Sequence, residues 1–482
     1  MINFPIPEFR WLTLLPLIVM AVTGMAGLVT MMFAKGNAHR LVAKVSMVGV
    51  VLAMCAQFAI AGADYLEFDS LLFMDRTASV NSIVIQLGTL LCLAFLPAQF
   101  EKRGLKVAEA YPLMVWAALG GMVMCSTRNM LVLFVGLELL SISLYVLAGL
   151  DKRSKESQEA ALKYFLLGAF ATGFFLYGAA MLYGVTGSLD IQTFMAFWRR
   201  TAGGERLLIT FSFLFILVGL AFKAGLAPFH QWIPDVYKGA PLGIVAFMAT
   251  VGKVGPFMAL FWFATQLMTF GGLSFWIFAI LSVLSMVIGN VMAFRSTDLK
   301  GLMAYSSIAN AGYLCANLAA LLSGRTLQYW PHTYFVIGYV FTTLGAFAVI
   351  SVHEANTNGD TSLSSLKGLA VRSPLLVGMF TLFALSQIGI GPVAGFIGKM
   401  FFVTDLVRFQ QLWLAAILLA TTAYGAYYYF KIIQSTFSSE GAEAAEAVIE
   451  VPIATKLVMT VCAVIIVGMV VLYPMFERLL RV

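Results

Sequence analysis

Four charged side chains lie among residues that are almost all apolar. Glu138 is at the centre of LFVGLELLSISLYVL, and Lys253 is in ATVGKVGPFM. Lys223 and Lys399 lie beside glycine- and proline-containing interruptions, FKAGLAPFHQWIP and IGIGPVAGFIGK. A charge at the centre of a membrane helix costs about 2.5–3.5 kcal/mol. Each of the four alone could snorkel or bond a neighbouring hydroxyl, but four together indicate a function.

Three lysines with one glutamate have the chemistry of a proton relay. An exposed lysine keeps its proton at neutral pH, burial in apolar surroundings favours release, and a nearby carboxylate favours retention. A lysine that faces Glu138 could therefore switch between the two states, with Lys223 as its expected partner. Lys253 and Lys399 would pass the proton onward, through water. Such a relay needs no metal and no organic cofactor.

Two further residues are secondary candidates for the same chemistry. His230, in PFHQWIPD, can titrate near neutral pH and lies at the first interruption. Lys163 precedes YFLLG and could either take part or snorkel from a helix end. Asp235 is expected to cap the segment that follows it. The other titratable residues at predicted helix ends are expected at the membrane interface: His332, His353 and Glu354.

The composition requires that these residues be held by membrane helices. The chain has 482 residues, of which 61% are hydrophobic and 11% charged, whereas a soluble domain has about 25% charged residues. Apolar runs long enough to cross a bilayer as helices recur throughout the chain. The first run is too long for a signal peptide and is expected to stay in place. Fourteen spans are predicted: 11–34, 41–61, 78–97, 112–126, 130–150, 160–186, 207–226, 242–266, 273–294, 299–322, 333–352, 374–403, 412–435 and 456–476.

Other classes of function lack their signals. The five cysteines are isolated, without a CxxC pair, and neither GK dipeptide within the apolar runs is followed by Ser or Thr. The net charge of +7 does not indicate nucleic-acid binding, because Lys and Arg concentrate in connections after odd-numbered spans, such as EKRGLK and DKRSK. Such loops face the cytoplasm. Both termini are therefore expected on the outer, periplasmic side.

An internal repeat organises the spans. YFLLGAFATG (164–173) and YFVIGYVFTT (334–343) share the tyrosine, glycine and threonine positions, and each lies in the third span of a five-span unit. Each unit later contains an interrupted span, number 7 or 12, which is typical of transporters built from repeats. Units with an odd number of spans insert with opposite topology. The predicted fold is all-α, with segments 1–110 (leading spans), 111–270 (first repeat), 271–437 (second repeat) and 438–482 (an acidic connection and a trailing span).

Several motifs together resemble a known family. LFVGLELLSISLYVLAG, KAGLAPFHQWIPDVYKGAP, DLKGLMAYSSIANAGY and GPVAGFIGKM are similar to the antiporter-like membrane subunits of respiratory complex I, most of all to the subunit N type, the counterpart of mitochondrial subunit 2. The resemblance covers nearly the whole chain. It implies fourteen helices, a pair formed by Glu138 and Lys223, and relay positions at Lys253 and Lys399.

The resemblance also implies a setting. Such a subunit moves protons within NADH:quinone oxidoreductase in a bacterial inner membrane, beside other antiporter-like and small membrane subunits, while flavin, iron–sulfur clusters and quinone belong to its partners. One position departs from the family, since related sequences often have histidine where this chain has Asn310. A water chain held by Asn310, Ser306 and Ser307 would have to replace that step.

Two other interpretations remain open from the sequence. Subunits of multisubunit sodium/proton antiporters share this fold and these motifs. A purely structural membrane subunit, whose charges only fix helix packing, would not need four buried charges. Flavin, iron–sulfur and quinone-site genes beside this one would distinguish complex I from an antiporter.

Overall fold

The computed structural model describes residues 11–34, 37–61, 65–67, 71–326, 328–438 and 449–480, and these are almost entirely helical. The helices are α1 Trp11–Phe33, α2 Ala38–Ile60, α3 Arg76–Lys102, α4 Ala110–Cys125, α5 Met130–Ala148, α6 Lys155–Thr186, α7 Ile191–Arg200, α8 Gly203–Ala224, α9 Trp232–Gly239, α10 Leu242–Ala249, α11 Val251–Gln266, α12 Gly272–Arg295, α13 Leu299–Gly324, α14 Tyr329–Asn356, α15 Leu369–Arg372, α16 Pro374–Ile388, α17 Ala394–Arg408, α18 Leu412–Phe437 and α19 Ile453–Leu480. Two short antiparallel strands, β1 Tyr65–Glu67 and β2 Leu72–Met74, join α2 to α3.

The predicted all-α membrane fold is confirmed, apart from this hairpin. Among the described residues, ten helical segments are long and apolar enough to cross a bilayer when α10 and α11 are counted as one, and two shorter apolar helices are α4 and α16. Every predicted span coincides with a helix or with a pair of consecutive helices, while the total of fourteen crossings stays a prediction. Most of the acidic connection predicted at 438–450 lies outside the described residues.

Both predicted interruptions are present, and glycine ends the first half of each. Gly225 (φ +80°) follows α8, and Gly389 (φ +83°) follows α16; both are in the left-handed region, where a side chain would be strained. Backbone groups freed by a break must find other partners inside a membrane. At the first break, Ala227 N–H donates to Ser285 Oγ at 2.9 Å, and Trp232 Nε1 donates to the Phe222 carbonyl at 3.0 Å.

A third interruption was not predicted. Span 8 divides at Thr250 (φ −114°, ψ −85°) into α10 and α11. Thr250 itself is neither glycine nor proline, although Gly252 follows two residues later and Pro256, which lacks the N–H needed by the helix, follows six residues later. The freed carbonyl of Ala249 accepts a hydrogen bond from Tyr339 Oη at 2.9 Å. This break places Lys253 in the first turn of α11.

The two predicted repeats share packing details. Tyr164 in α6 stacks on Trp232 in α9, with ring centres 4.2 Å apart, and Tyr334 in α14 packs edge-on against Phe401 in α17 at 5.5 Å. In both repeats, the repeated tyrosine therefore contacts the second half of the interrupted span. These contacts are what related units would make, and the division of the chain into four segments stays a prediction.

A buried ion cluster joins the ends of α3, α13 and α14. Glu354 is 1% exposed, accepts a hydrogen bond from Arg103, and pairs with Lys300 at 2.8 Å. Gln99 Nε2 lies 3.4 Å from the same carboxylate. All three residues expected at the membrane interface, Glu354, His332 and His353, are buried inside the protein, while their depth in the membrane stays a prediction. The partners of Glu354 are distant in the sequence, so no local pattern revealed them.

We expect Glu354→Ala to lower the free energy of unfolding by about 3 kcal/mol, because it leaves the cations of Lys300 and Arg103 without their buried counter-ion. Thermal unfolding of the purified protein in detergent measures this loss. Glu205→Ala, at an exposed position of α8, is the matched control and should change the midpoint little. Equal midpoints for the two variants would contradict a stabilising role for Glu354.

Candidate functional site

Glu138 and Lys223 lie on neighbouring elements but do not form a direct ion pair among the described residues. Asn129 caps α5 and places Glu138 at the middle of this helix. The Glu138 carboxylate accepts a hydrogen bond from Thr172 Oγ1 at 2.8 Å. Lys223 lies at the end of α8, is 4% exposed, and donates to Tyr145 Oη at 3.0 Å. Glu138 is still close enough to act electrostatically on both Tyr145 and Lys223.

Aromatic rings supply most of the surroundings of Lys223. Its Nζ lies 4.5 Å from the ring centre of Tyr145 and 4.8 Å from that of Tyr164, distances at which a cation is attracted to a ring face. The two tyrosine rings meet edge-on at 4.7 Å. In place of a direct pair, Glu138 is hydrogen-bonded by Thr172 and Lys223 is hydrogen-bonded to Tyr145. Tyr145 follows Glu138 by seven residues, so helical spacing already put the two on one face of α5.

Lys253 is held by hydroxyl and carbonyl groups, and no carboxylate of the described residues contacts it. It is 1% exposed, and its Nζ donates to Ser307 Oγ and lies 3.4 Å from the Ser307 carbonyl in α13. A Cβ at Gly225 would lie 3.3 Å from the same Nζ. Gly225 follows Lys223 by two residues and marks the first break, so Lys253 lies beside this break.

A series of polar side chains continues from Lys253 to the second break. Ser306 precedes Ser307 in α13 and contacts Tyr429 Oη at 2.6 Å. Asn310 donates to the Ser306 carbonyl at 2.9 Å and to Gln387 Oε1 at 3.2 Å. Gln387 Nε2 in turn donates to Thr343 Oγ1 at 2.7 Å. Ser306, Ser307 and Asn310, the three side chains predicted to replace the family histidine, thus lie between the two lysines.

Lys399, in α17, bonds to the end of α16 across the second break. It is 7% exposed, and its Nζ donates to the carbonyls of Gln387 at 2.9 Å and Ile388 at 3.1 Å, at the end of α16. A cation is stabilised there, because unpaired carbonyls give a helix C-terminus partial negative charge. The Tyr313 ring centre lies 4.4 Å from Nζ. A cavity of about 10 Å³, lined by Lys399, Asn310 and Gln387 among others, has room for about one water molecule.

The two secondary candidates lie away from this series. The Lys163 side chain is 45% exposed and pairs with Glu159 and Asp235, each at 2.8 Å. Asp235, expected only to cap the next segment, lies in the first turn of α9 and thereby ties α9 to α6. His230 is partly buried in the connection between α8 and α9, and its Nδ1 has no hydrogen-bond partner among the described residues.

Sequence reasoning missed one buried acid and found no metal site. Asp405 in α17 is 6% exposed and accepts a hydrogen bond from Asn317 Nδ2 at 3.2 Å. It lies six residues after Lys399 in an apolar run, which was a usable signal. Within the described ranges, no group of three His, Cys, Asp or Glu side chains is placed to hold a metal ion.

Comparison with known proteins gives a consistent result. A family model described as NADH:quinone oxidoreductase/Mrp antiporter, TM, matches residues 127–424. NADH-quinone oxidoreductase subunit N of Trichlorobacter lovleyi is 33% identical over 461 residues, covering 95% of this chain and 94% of that relative. A chain of respiratory complex I from Thermus thermophilus is also 33% identical, with a TM-score of 0.81 and coverage of 96% of this chain and 98% of that one.

A chain of the Mrp complex from Dietzia sp. DQ12-45-1b has a TM-score of 0.83 at 18% identity, with coverage of 98% and 96%, which shows a likeness of fold alone. The fold and the buried lysines define a multi-pass, antiporter-like membrane protein. The chain belongs to the NADH:quinone oxidoreductase/Mrp antiporter membrane family, and its relatives of the subunit N type confirm the resemblance seen in the motifs.

We expect Gly168→Ala to destabilise the site, because a Cβ there would clash with Tyr145 Oη, whose ring packs against Tyr164 and Phe165. Overpacking of this kind costs about 1–3 kcal/mol. Thermal unfolding of the purified protein measures it. Gly173→Ala on the same helix is the matched control, since nothing lies within 4 Å of a Cβ at that position. A midpoint for Gly168→Ala equal to that of Gly173→Ala would contradict close packing at Tyr145.

Proposed function

We propose that this chain is a proton-translocating membrane subunit of NADH:quinone oxidoreductase, and that Glu138, Lys223, Lys253 and Lys399 carry the protons. One observation carries the proposal: three buried lysines and one partly buried glutamate lie along a series of polar side chains that crosses a mainly apolar bundle. Buried ionisable groups in a membrane are costly and are found mainly on ion pathways. The proposal agrees with the relatives of the subunit N type.

The geometry supports a stepwise transfer. Lys223 holds a proton while Glu138 favours its charged form, and it releases the proton when that influence weakens. Tyr145 lies between them and can both accept and donate a hydrogen bond. From Lys253 the proton passes to the Ser307 hydroxyl, which also donates and accepts. Asn310 and Gln387 cannot carry a net proton at neutral pH, so their role is to orient water between Ser306 and Lys399.

The partly exposed position of Glu138 indicates that another subunit packs against this chain in the plane of the membrane. Glu138 is flanked on α5 by Val135 and Ile142, which are 56% and 57% exposed. A carboxylate at mid-membrane cannot face lipid tails without a large cost. We infer that a neighbouring membrane subunit of complex I covers this face and supplies polar groups or water near Glu138, while lipid contacts the remaining apolar surface.

Redox chemistry is assigned to the partners. We propose that this chain carries no flavin, iron–sulfur cluster or quinone and is driven by electron transfer elsewhere in the complex. A bacterial inner membrane agrees with the bacterial relatives, and the excess of Lys and Arg in one set of connections favours both termini outside. Lys163 and His230 remain secondary proposals: exposure and two ion pairs favour an anchoring role for Lys163, whereas the free Nδ1 of His230, among the described residues, leaves it available to water.

A subunit of a multisubunit sodium/proton antiporter is the second candidate. The likeness of fold to the Mrp complex favours it, but that likeness has only 18% identity. Proton movement that depends on NADH oxidation and is indifferent to Na⁺ would support the complex I assignment. Movement that depends on a Na⁺ gradient and persists without NADH would support the antiporter.

We expect Glu138→Ala to cut NADH:quinone turnover and proton yield, because Lys223 loses the carboxylate that controls its proton. Glu138→Asp should be milder. Both rates are measured in membranes and normalised to assembled complex. Glu159→Ala is the control, since that carboxylate is exposed and pairs with the surface residue Lys163. Wild-type turnover and proton yield in assembled Glu138→Ala complex would count against the relay.

Lys399→Ala should impair turnover more than Lys399→Glu, because a carboxylate can also take up and release protons while a methyl group cannot. The measurement is NADH:quinone activity together with proton uptake, again per assembled complex. Lys456→Ala, at an exposed position in the first turn of α19, controls for loss of a lysine as such. Near-normal activity in Lys399→Ala would remove Lys399 from the path.

A further inference from the structure

Three buried polar side chains near the start of α3 and α14 have unsatisfied atoms. Asn81, His332 and Thr333 are at most 1% exposed. Among the described residues, Asn81 Oδ1 and Thr333 Oγ1 have no hydrogen-bond partner, and the His332 ring nitrogens have none apart from the Phe257 backbone beside the imidazole. A buried polar atom without a partner costs several kcal/mol in the hydrocarbon region of a membrane. Such atoms in native proteins are usually satisfied by ordered water.

Helix geometry brings the three residues together. Gly88 in α3 faces Val340 in α14, since a Cβ at Gly88 would lie 3.7 Å from Val340 Cγ1. The two helices run in the same direction, because Gln99 further along α3 contacts Glu354 further along α14. Residues seven apart share a helix face, so helical spacing assigns Asn81 and Thr333, seven before each member of the contact, to the facing sides of α3 and α14.

The neighbours of His332 extend this cluster to α11. The His332 ring centre lies 4.9 Å from that of Phe261, and the imidazole lies beside the backbone of Phe257. Phe257 is one turn from Lys253, and its ring centre is 6.0 Å from Lys253 Nζ. Phe257 therefore neighbours both groups, because its ring lies near the Lys253 amine and its backbone lies beside the His332 imidazole.

On its other side the cluster approaches the surface of the bundle. Tyr329, one turn before His332 on the chain, packs against Phe261 with ring centres 5.2 Å apart. Arg128 lies 4.1 Å from the Trp262 ring and pairs with Asp75 at 3.6 Å. The Arg128 and Asp75 side chains are 18% and 26% exposed, so the pair reaches solvent. Because both termini are expected on the outer side, the Arg128–Asp75 pair lies at the outer end of the bundle.

We propose that Asn81, His332 and Thr333 hold a short file of water molecules that joins Lys253 to the outer surface, with His332 as a proton carrier. This proposal rests on the proposed relay role of Lys253. The Lys253 ammonium gives a proton to water, His332 accepts it at one ring nitrogen and releases a proton from the other, and the proton leaves near Asp75 and Arg128. Lys253 is left neutral until the inner side returns a proton. Asn81 and Thr333 position water and do not titrate.

The path differs from the series that leads to Lys399. It lies between α3, α11 and α14, and it connects Lys253 to the outer side without passing the second break. A chain with both paths could release protons from Lys253 when transfer to Lys399 is blocked. Loss of Lys399 would then reduce proton yield without abolishing it.

Two Thr333 substitutions test the water file with little change of shape. Thr333→Val should reduce NADH-driven proton yield several-fold, because the hydroxyl that holds water is replaced by a methyl group, and Thr333→Ser should restore it. His332→Phe keeps a ring but carries no proton, and it should lose the yield as well. Thr265→Val is the matched control, since the Thr265 hydroxyl is buried near the same end but bonds the Trp262 carbonyl of its own helix.

Cysteine labelling of the purified complex gives a readout that does not depend on activity. Asn81→Cys should react with 2-aminoethyl methanethiosulfonate, since the thiol would face water. Ile85→Cys should not react, because Ile85 is equally buried one turn away but packs against Gly121 in α4. The unsubstituted complex corrects for the native cysteines.

The outcomes separate this inference from the function on which it rests. Lys253→Met is measured in parallel, and normal proton yield in that variant would overturn the relay itself. If Lys253→Met is impaired, then normal yield in both Thr333→Val and His332→Phe overturns the outer path alone. An Asn81→Cys thiol as unreactive as Ile85→Cys overturns it too. Labelling of Asn81→Cys together with loss of yield in both variants supports it.

Discussion

A buried ammonium group without a carboxylate in contact is the constraint that organises this bundle. Insertion of such a group in a membrane is costly unless its three N–H groups find partners. The three lysines solve this in different ways: Lys223 uses a tyrosine hydroxyl and ring faces, Lys253 a serine, and Lys399 two backbone carbonyls. None of these partners is an anion, so each lysine can lose its proton without leaving a buried counter-charge in contact with it.

Broken helices provide the backbone groups that this solution needs. A continuous helix uses its carbonyls internally, whereas the end of α16 leaves those of Gln387 and Ile388 free for Lys399. The break at Gly225 removes a side chain from the place where Lys253 approaches α8. The helix breaks and the buried lysines therefore depend on each other, because the breaks provide the free carbonyls for Lys399 and the space for Lys253.

The sequence predicted the parts of the site that depend on local chemistry. Glycine and proline marked the breaks after α8 and α16, and apolar flanks marked the depth of Glu138 and the lysines. The break at Thr250 was not predicted, because the nearby Gly252 and Pro256 lie within α11, two and six residues after it. The buried ion pairs of Glu354 were not predicted, since its partners Arg103 and Lys300 are brought to it only by the tertiary fold. Tyr145 was within reach of sequence reasoning by its spacing from Glu138 alone.

The contacts of Lys399 have a consequence for the second break. A charged lysine has three hydrogens to donate, and a neutral one has two. The two carbonyls at the end of α16 accept one hydrogen bond each. Both bonds can therefore persist when the proton departs, and only the third hydrogen and the charge are lost. The halves of the span can thus stay joined through the whole cycle. Lys399 can therefore exchange its proton while its two hydrogen bonds to α16 stay formed, and the backbone need not open and close with each turnover.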